Sequence, residues 1–174
     1  MSVKDWWPIP KIPKRSVSRR PDGTVLEMWR YKGRLHREDG PAWIQSHWEG
    51  YRVEEWYIDD RRHRKDGPAA IETFPDGSRR EEWYIDGHQH REDGPAMIEI
   101  RPAGYRHEQW IVDGQLHRED GPAVIVIRPD GYQSEEWWID GDLHREDGPA
   151  VIKNHPDGSR DEQWWIHGRQ VDAP

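Results

Sequence analysis

From Pro21 onward, aromatic and β-branched residues alternate with charged ones in short runs, and a glycine-containing turn cuts each run. Residues 78–85 and 96–101 have the composition of half-buried strands. Phe74-Pro75-Asp76-Gly77-Ser78 fits a three-residue hairpin loop, in which Pro opens a type I turn and Gly takes the following left-handed position. Pro129-Asp130-Gly131 and Pro156-Asp157-Gly158 are equivalent loops, with Trp48-Glu49-Gly50 and Pro102-Ala103-Gly104 as variants. If Phe74 faces Ser78, Ile71 faces Glu81 and Ala69 faces Trp83. Side chains alternate with period two, so Ala69, Ile71, Trp83 and Ile85 then share one face. Residues 86–95 form a longer polar connection, with Asp86-Gly87 and Asp93-Gly94-Pro95 as turn signals.

The pattern is periodic. Leu116-His117-Arg118-Glu119-Asp120-Gly121-Pro122-Ala123 has edited copies at residues 35–42, 62–69, 89–96 and 143–150, each start 27 residues from the next. Trp29, Trp56, Trp83, Trp110, Trp137 and Trp164 form one column, and Ile44, Ile71, Ile98, Ile125 and Ile152 another. A period of this length marks an array of one small structural unit. The chain therefore divides into residues 1–20, a basic Pro-rich arm or cap, and residues 21–174, five full periods with terminal half-repeats. The predicted class is all-β: an elongated antiparallel meander of tandem hairpin repeats, about eleven strands and about 50 Å long. Helices are excluded because Gly and Pro recur within every period. Trp6-Trp7 is placed to cap the first strand. No unit folds alone, since ordering it costs on the order of 40 kcal/mol.

Composition sharpens this picture. Hydrophobic residues make up 33% and charged residues 34%, a balance that leans towards disorder, but twelve Trp and six Tyr supply large apolar area. The net charge of -8 divides into +5 over residues 1–20 and -13 over the remainder. Phosphate repels such a body, so nucleic acid is excluded as a partner, whereas a basic protein is steered towards it. The absence of cysteine removes disulfides and thiolate metal sites. No run is apolar enough to span a bilayer, and the N-terminus lacks the apolar core of a signal peptide, so a cytoplasmic location is expected.

The unit Trp110-Ile111-Val112-Asp113-Gly114-Gln115-Leu116-His117, followed by Gly121 and a strand, resembles the MORN repeat. That family also carries Trp, a turn Gly, a nearby His and a second Gly through hairpins of an extended sheet. The resemblance spans residues 21–170. This unit is longer than the usual MORN repeat, with Arg118-Glu119-Asp120 between the His and the next Gly. In this it is similar to the variant repeats of bacterial antitoxin and immunity proteins. The resemblance implies a binding or scaffolding module without catalysis, and MORN arrays are also linked to lipid headgroups.

The recurring polar residues are read as structural. His36, His63, His90, His117 and His144 lie about 9.6 Å from one another across two strands, too far to share a zinc ion. They and the loop arginines are expected to hydrogen-bond within the long loop. Glu27, Glu54, Glu81, Glu108, Glu135 and Glu162 share the face of the Trp column and are expected to pair with a loop Arg or His, such as Arg91 or His90. An active site needs a unique constellation, and no nucleophile elbow, phosphate loop or zincin motif occurs. The chain is not expected to be an enzyme, nor to need a cofactor or metal.

The residues that vary between repeats carry the information. The position after each constant Trp runs Arg30, Tyr57, Tyr84, Ile111, Trp138, Trp165. By alternation its face also holds Trp43, Ala70, Met97, Val124 and Val151. Tyr57, Tyr84, Ile111, Trp138, Trp165, Trp43 and Met97 are the candidate partner-binding residues, since Trp, Tyr and Met are enriched at interface hot spots. They also suit a sheet packed on its second side, and both uses stay open here. The expected function is an immunity or antitoxin protein that binds a basic, toxin-like protein directly. The alternatives are a scaffold or lipid-headgroup binder using the basic arm, and a carbohydrate-binding module. An edge strand near Trp164 is free to pair with another copy.

Overall fold

The computed structural model describes residues 11–173. The first strands are β1 (Lys14–Arg19), β2 (Val25–Tyr31), β3 (Arg34–Leu35), β4 (Trp43–Ser46) and β5 (Arg52–Glu55). Next come β6 (Tyr57–Ile58), β7 (Arg61–Arg62), β8 (Ala70–Thr73), β9 (Arg79–Glu82), β10 (Tyr84–Ile85) and β11 (His88–Gln89). They continue as β12 (Met97–Arg101), β13 (Tyr105–Gln109), β14 (Ile111–Val112), β15 (Gln115–Leu116), β16 (Val124–Ile127) and β17 (Gln133–Glu136). The chain closes with β18 (Trp138–Ile139), β19 (Asp142–Leu143), β20 (Val151–Asn154), β21 (Arg160–Ile166) and β22 (Arg169–Val171). A single 3-10 turn, Pro102–Gly104, is the sole helical geometry among the described residues, and none of their helices could cross a membrane.

The protein is an all-β meander. One antiparallel sheet runs β1-β2-β4-β5-β8-β9-β12-β13-β16-β17-β20-β21-β22, with β3 attached to β2. The eleven expected strands are all in it. The sheet has three more: β1, contributed by the N-terminal arm directly after Pro13, and β3 and β22 at its two ends. The expected Trp6-Trp7 cap lies outside the described residues.

The turn chemistry sets the register as expected. Phe74 N–H bonds Ser78 O at 2.9 Å, and Ile71 stands opposite Glu81. Gly77 takes φ +86°, a left-handed conformation that the absence of a Cβ makes inexpensive. The expected pairing of Ala69 with Trp83 is not formed, because the ladder stops at Ala70 and Glu82. At Trp83 the backbone instead turns to two partners: its N–H bonds Ala96 O, just before β12, at 2.8 Å, and its carbonyl accepts His90 N–H at 3.1 Å. Beyond Trp83 the chain leaves the sheet as a two-residue hairpin, β10–β11. Asp86 and Gly87 both have positive φ, the geometry that matches strand twist in tight hairpins. Ile85 therefore belongs to this hairpin and not to the face of Ile71. The pairs β6–β7, β14–β15 and β18–β19 repeat the arrangement.

These hairpins form a second tier that links each repeat to its neighbour. Gly87 N–H bonds Arg62 O at 2.9 Å and Arg64 N–H bonds Tyr84 O at 3.1 Å. His63 Nδ1 accepts the Asp86 N–H at 3.1 Å, and His36, His90, His117 and His144 repeat that bond to Asp59, Asp113, Asp140 and His167. The histidines thus join successive repeats, where a bond within their own loop was expected.

The loop arginines cap the Trp column. Arg37, Arg64, Arg91, Arg118 and Arg145 lie over Trp29, Trp56, Trp83, Trp110 and Trp137, with the guanidinium carbon 4.0–4.3 Å from the ring centre. Such cation–π stacking contributes roughly 0.5–2 kcal/mol per pair. The Arg-X-Asp-Gly-Pro signature follows from this geometry. Arg91 Nε donates to Asp93 at 2.9 Å and Nη1 to Pro95 O at 3.3 Å, and a Cβ on Gly94 would come within 2.8 Å of the guanidinium. Glycine is needed there for space, not for an unusual turn. The alanines whose carbonyls accept the Trp N–H groups, Ala42, Ala69, Ala96, Ala123 and Ala150, are 0% exposed.

The glutamate column also pairs differently from expectation. On its face Glu and Ile stand opposite each other from strand to strand: Glu54–Ile71, Glu81–Ile98, Glu108–Ile125, Glu135–Ile152. Four of the six bond an arginine two residues earlier in their own strand, Arg52 with Glu54 at 2.6 Å, Arg79 with Glu81 at 2.7 Å, Arg106 with Glu108 and Arg160 with Glu162 at 2.7 Å, while Glu27 bonds Arg15 of the neighbouring strand. Side chains two apart on a strand point the same way, whereas the loop arginines are already engaged by Trp and Asp.

Candidate protein-contact face

The opposite face of the sheet carries the residues that vary. The second Glu of each Glu-Glu-Trp segment, or the Gln in its place, lies on this face. In four repeats the side chain after the constant Trp bonds back to that residue. Tyr57 Oη donates to Glu55 at 3.0 Å, Tyr84 Oη to Glu82 at 3.1 Å, Trp138 Nε1 to Glu136 at 3.0 Å and Trp165 Nε1 to Gln163 at 3.2 Å. The result is a row of half-buried rings, each with one edge tied to a carboxylate or amide and the other open to solvent. Rings fixed in this way lose little side-chain freedom on contact with a partner, which favours binding.

The candidate residues divide between two environments. Tyr57, Tyr84, Trp138, Trp165 and Trp43 are half-buried and share this face. Met97 and Ile111 do not offer a contact surface. They are 3% and 5% exposed, Met97 being enclosed between Glu82 and Gln109 on the flanking strands. The apolar character of the face is thus partly core, with Val124 and Val151 buried beside them.

One repeat adds a cluster that the others lack. Arg62 occupies the position of Leu35, Gln89, Leu116 and Leu143 in the period, and it reaches over the face to bond Glu55, the Tyr57 hydroxyl at 3.3 Å and the Tyr84 hydroxyl at 3.4 Å. Burial opposes its charge, but Glu55 and the two phenols outweigh burial and hold its pKa above the ordinary value. Arg80 bonds Glu82 at 2.5 Å alongside. Tyr51 donates to Glu72 at 2.6 Å, and burial together with that carboxylate pushes the phenol up to about 12. Where the small Ala70 replaces the Trp43 or Met97 of other strands, a cleft of about 350 Å³ is lined by Tyr51, Glu55, Arg62, Glu72, Arg80 and Glu82.

Sequence reasoning missed Glu55, Glu82, Glu136 and Arg62 as parts of this face. Their signal was the second Glu before each Trp and the one charged residue in an otherwise Leu or Gln position. Trp48-Glu49-Gly50 is a hairpin turn as expected, and within it Trp48 is 77% exposed beside His47.

Along the loop edge, four clefts of about 670–770 Å³ separate successive Arg-X-Asp-Gly loops. The loop Asp carboxyls are held low by hydrogen bonds from Arg37, Arg91, Arg118 and Arg145. Glu38, Glu92, Glu119 and Glu146 stay exposed at the rim. Neither a scan against protein-family models nor a search of curated proteins returns a match to this chain.

Proposed function

We propose that the protein is a non-catalytic, cytoplasmic protein-binding module, acting as an immunity or antitoxin protein that neutralises a basic partner by direct contact. The observation that carries this reading is the row of Tyr57, Tyr84, Trp138 and Trp165. These rings sit at a position that changes chemistry between repeats whose Trp and Ala columns stay constant, and each is fixed against a neighbouring polar group. Variation on one face of a constant scaffold is how a repeat array addresses a particular surface. The carboxylates beside the rings and along the loop edge supply the attraction, which sets on-rate and orientation more than affinity. The MORN-like repeat pattern supports a binding role in the same direction.

The test is affinity capture from source-cell lysate at low and moderate salt, with the wild-type chain and Trp138→Ala as parallel baits. One stoichiometric basic protein, retained by wild type, weakened by Trp138→Ala and inhibited in its own activity, is the expected result. Recovery of membrane fragments, or of nothing that survives moderate salt, overturns the reading and favours a scaffold that uses the basic arm.

A further inference from the structure

The two outer edges of the sheet are complementary. Among the described residues, no strand pairs with the outer side of β1 or with the stretch of β21 from Arg160 to Gln163. Ladder alternation tells which backbone groups point outwards there. Arg20 N–H bonds Thr24 O, so Ser16 and Ser18 bond β2 while Val17 and Arg19 present their N–H and C=O outwards. His155 N–H bonds Ser159 O, so Asp161 and Gln163 bond β20 while Arg160 and Glu162 face out.

β1 stands where a repeat places its isoleucine strand: Val17 is opposite Glu27 as Ile152 is opposite Glu162. β21 is equivalent to β17, whose Glu135 faces Ile152 on the following strand. Continuing the meander therefore sets Val17 of a second copy opposite Glu162, with outward groups meeting outward groups. The direction also agrees. Twelve strands run from β1 through β21 in the ladder, so an added β1 lies antiparallel to β21 like every other neighbour.

Side chains favour the same junction. β1 carries Lys14, Arg15 and Arg19 with no acid, while the facing edge carries Asp161 and Glu162 with Asp157 in the adjoining turn. Arg160 would stand opposite Arg19 of the incoming strand, but Glu162 already bonds its guanidinium at 2.7 Å. Trp164 completes the match. It is the member of the Trp column with no guanidinium on its ring among the described residues. Arg15 occupies the row of that column, opposite Trp29 and 5.6 Å from its ring, so the added strand brings an arginine beside Trp164.

We infer that this chain associates head to tail with copies of itself, β1 of one molecule adding to β21 of the next. The contact is heterologous, so it leaves both ends open and extends the sheet stepwise. Sedimentation of the full chain over a concentration series tests it. Species larger than a dimer should grow with concentration and shrink with added salt. Val17→Pro and Glu162→Pro each remove one outward N–H, so each alone should be monomeric, and their equimolar mixture should stop at a dimer. Near-ultraviolet circular dichroism checks that both variants keep the fold. Because the chain has no cysteine, Ser16→Cys combined with Gln163→Cys gives an independent reading. The two Cα atoms would be about 4.5 Å apart across the junction, inside the disulfide range of about 4.4–6.8 Å. Mild oxidation should yield a ladder of linked chains. A wild-type chain that stays monomeric throughout, or a cysteine variant that forms no ladder, overturns the inference.

Discussion

At the scale of single residues, the constant positions act through stacking and steric fit. Trp110 stacks under Arg118 and joins the sheet to its hairpin through its own backbone. Trp110→Ala should lower stability by about 3–5 kcal/mol in chemical denaturation. Trp138→Ala should cost clearly less, because its ring has an open side. Ala103 is a second informative residue. It takes φ +63° in the hairpin loop where other repeats place Asp22, Asp76, Asp130 and Asp157, whose carboxylates accept the N–H two residues on. Ala103→Asp should supply that bond and relieve the strained alanine. We expect a gain of roughly 1 kcal/mol, visible as a higher Tm. The Gly of each three-residue loop was legible from sequence, since a left-handed position leaves little choice. The Gly of Asp-Gly-Pro was legible only as a turn signal, since its steric reason depends on where the guanidinium packs.

At the scale of elements, each period comprises a sheet hairpin and a small outer hairpin divided at the Trp. The sheet hairpin was legible from Pro-Asp-Gly and period-two alternation. The division was not, because alternation runs unbroken through Glu82-Trp83-Tyr84 and nothing local reveals that the Trp N–H and C=O serve different partners. Asp86-Gly87, a strong two-residue hairpin signal, lies in sequence within one long polar connection, and the hairpin emerges only in the structure. Among the described residues, the backbone links between repeats join nearest neighbours. Deleting residues 89–115 should therefore join two equivalent positions and leave a folded, shorter array. Its Tm and its denaturant m-value should both fall, the latter in proportion to the surface lost. A chain that unfolds completely on this deletion would contradict the repeat description.

At the scale of the whole molecule, stability is distributed along a thin sheet and shared with many exposed carboxylates. Asp39, Asp93, Asp120 and Asp147 are held low by their arginine hydrogen bonds, and Asp22 and Asp76 by the N–H groups of Thr24 and Ser78. A carboxyl with a depressed folded pKa contributes stability that is full above its unfolded value and is lost as pH falls through the folded one. The thermal midpoint should hold steady down to about pH 5 and drop below about pH 4, the ordinary aspartate range. A midpoint that rises in acid would count against these bonds.

Periodicity, turn residues and β composition by themselves determined the strand type, the 27-residue period, the hairpin register and the two faces of the sheet. Each of these depends on contacts between residues close in sequence or on a local backbone preference, and such information is written along the chain. Only the tertiary structure decided which candidate side chains are accessible, which Glu pairs with which Arg, and what the His and Arg columns hold. Met97 and Ile111 look the same in sequence as their half-exposed counterparts in other repeats, yet both are buried, Met97 between strands on either side and Ile111 in its outer hairpin. The histidines bond an N–H 23 residues further on, and that distance closes only when one repeat stacks on the next.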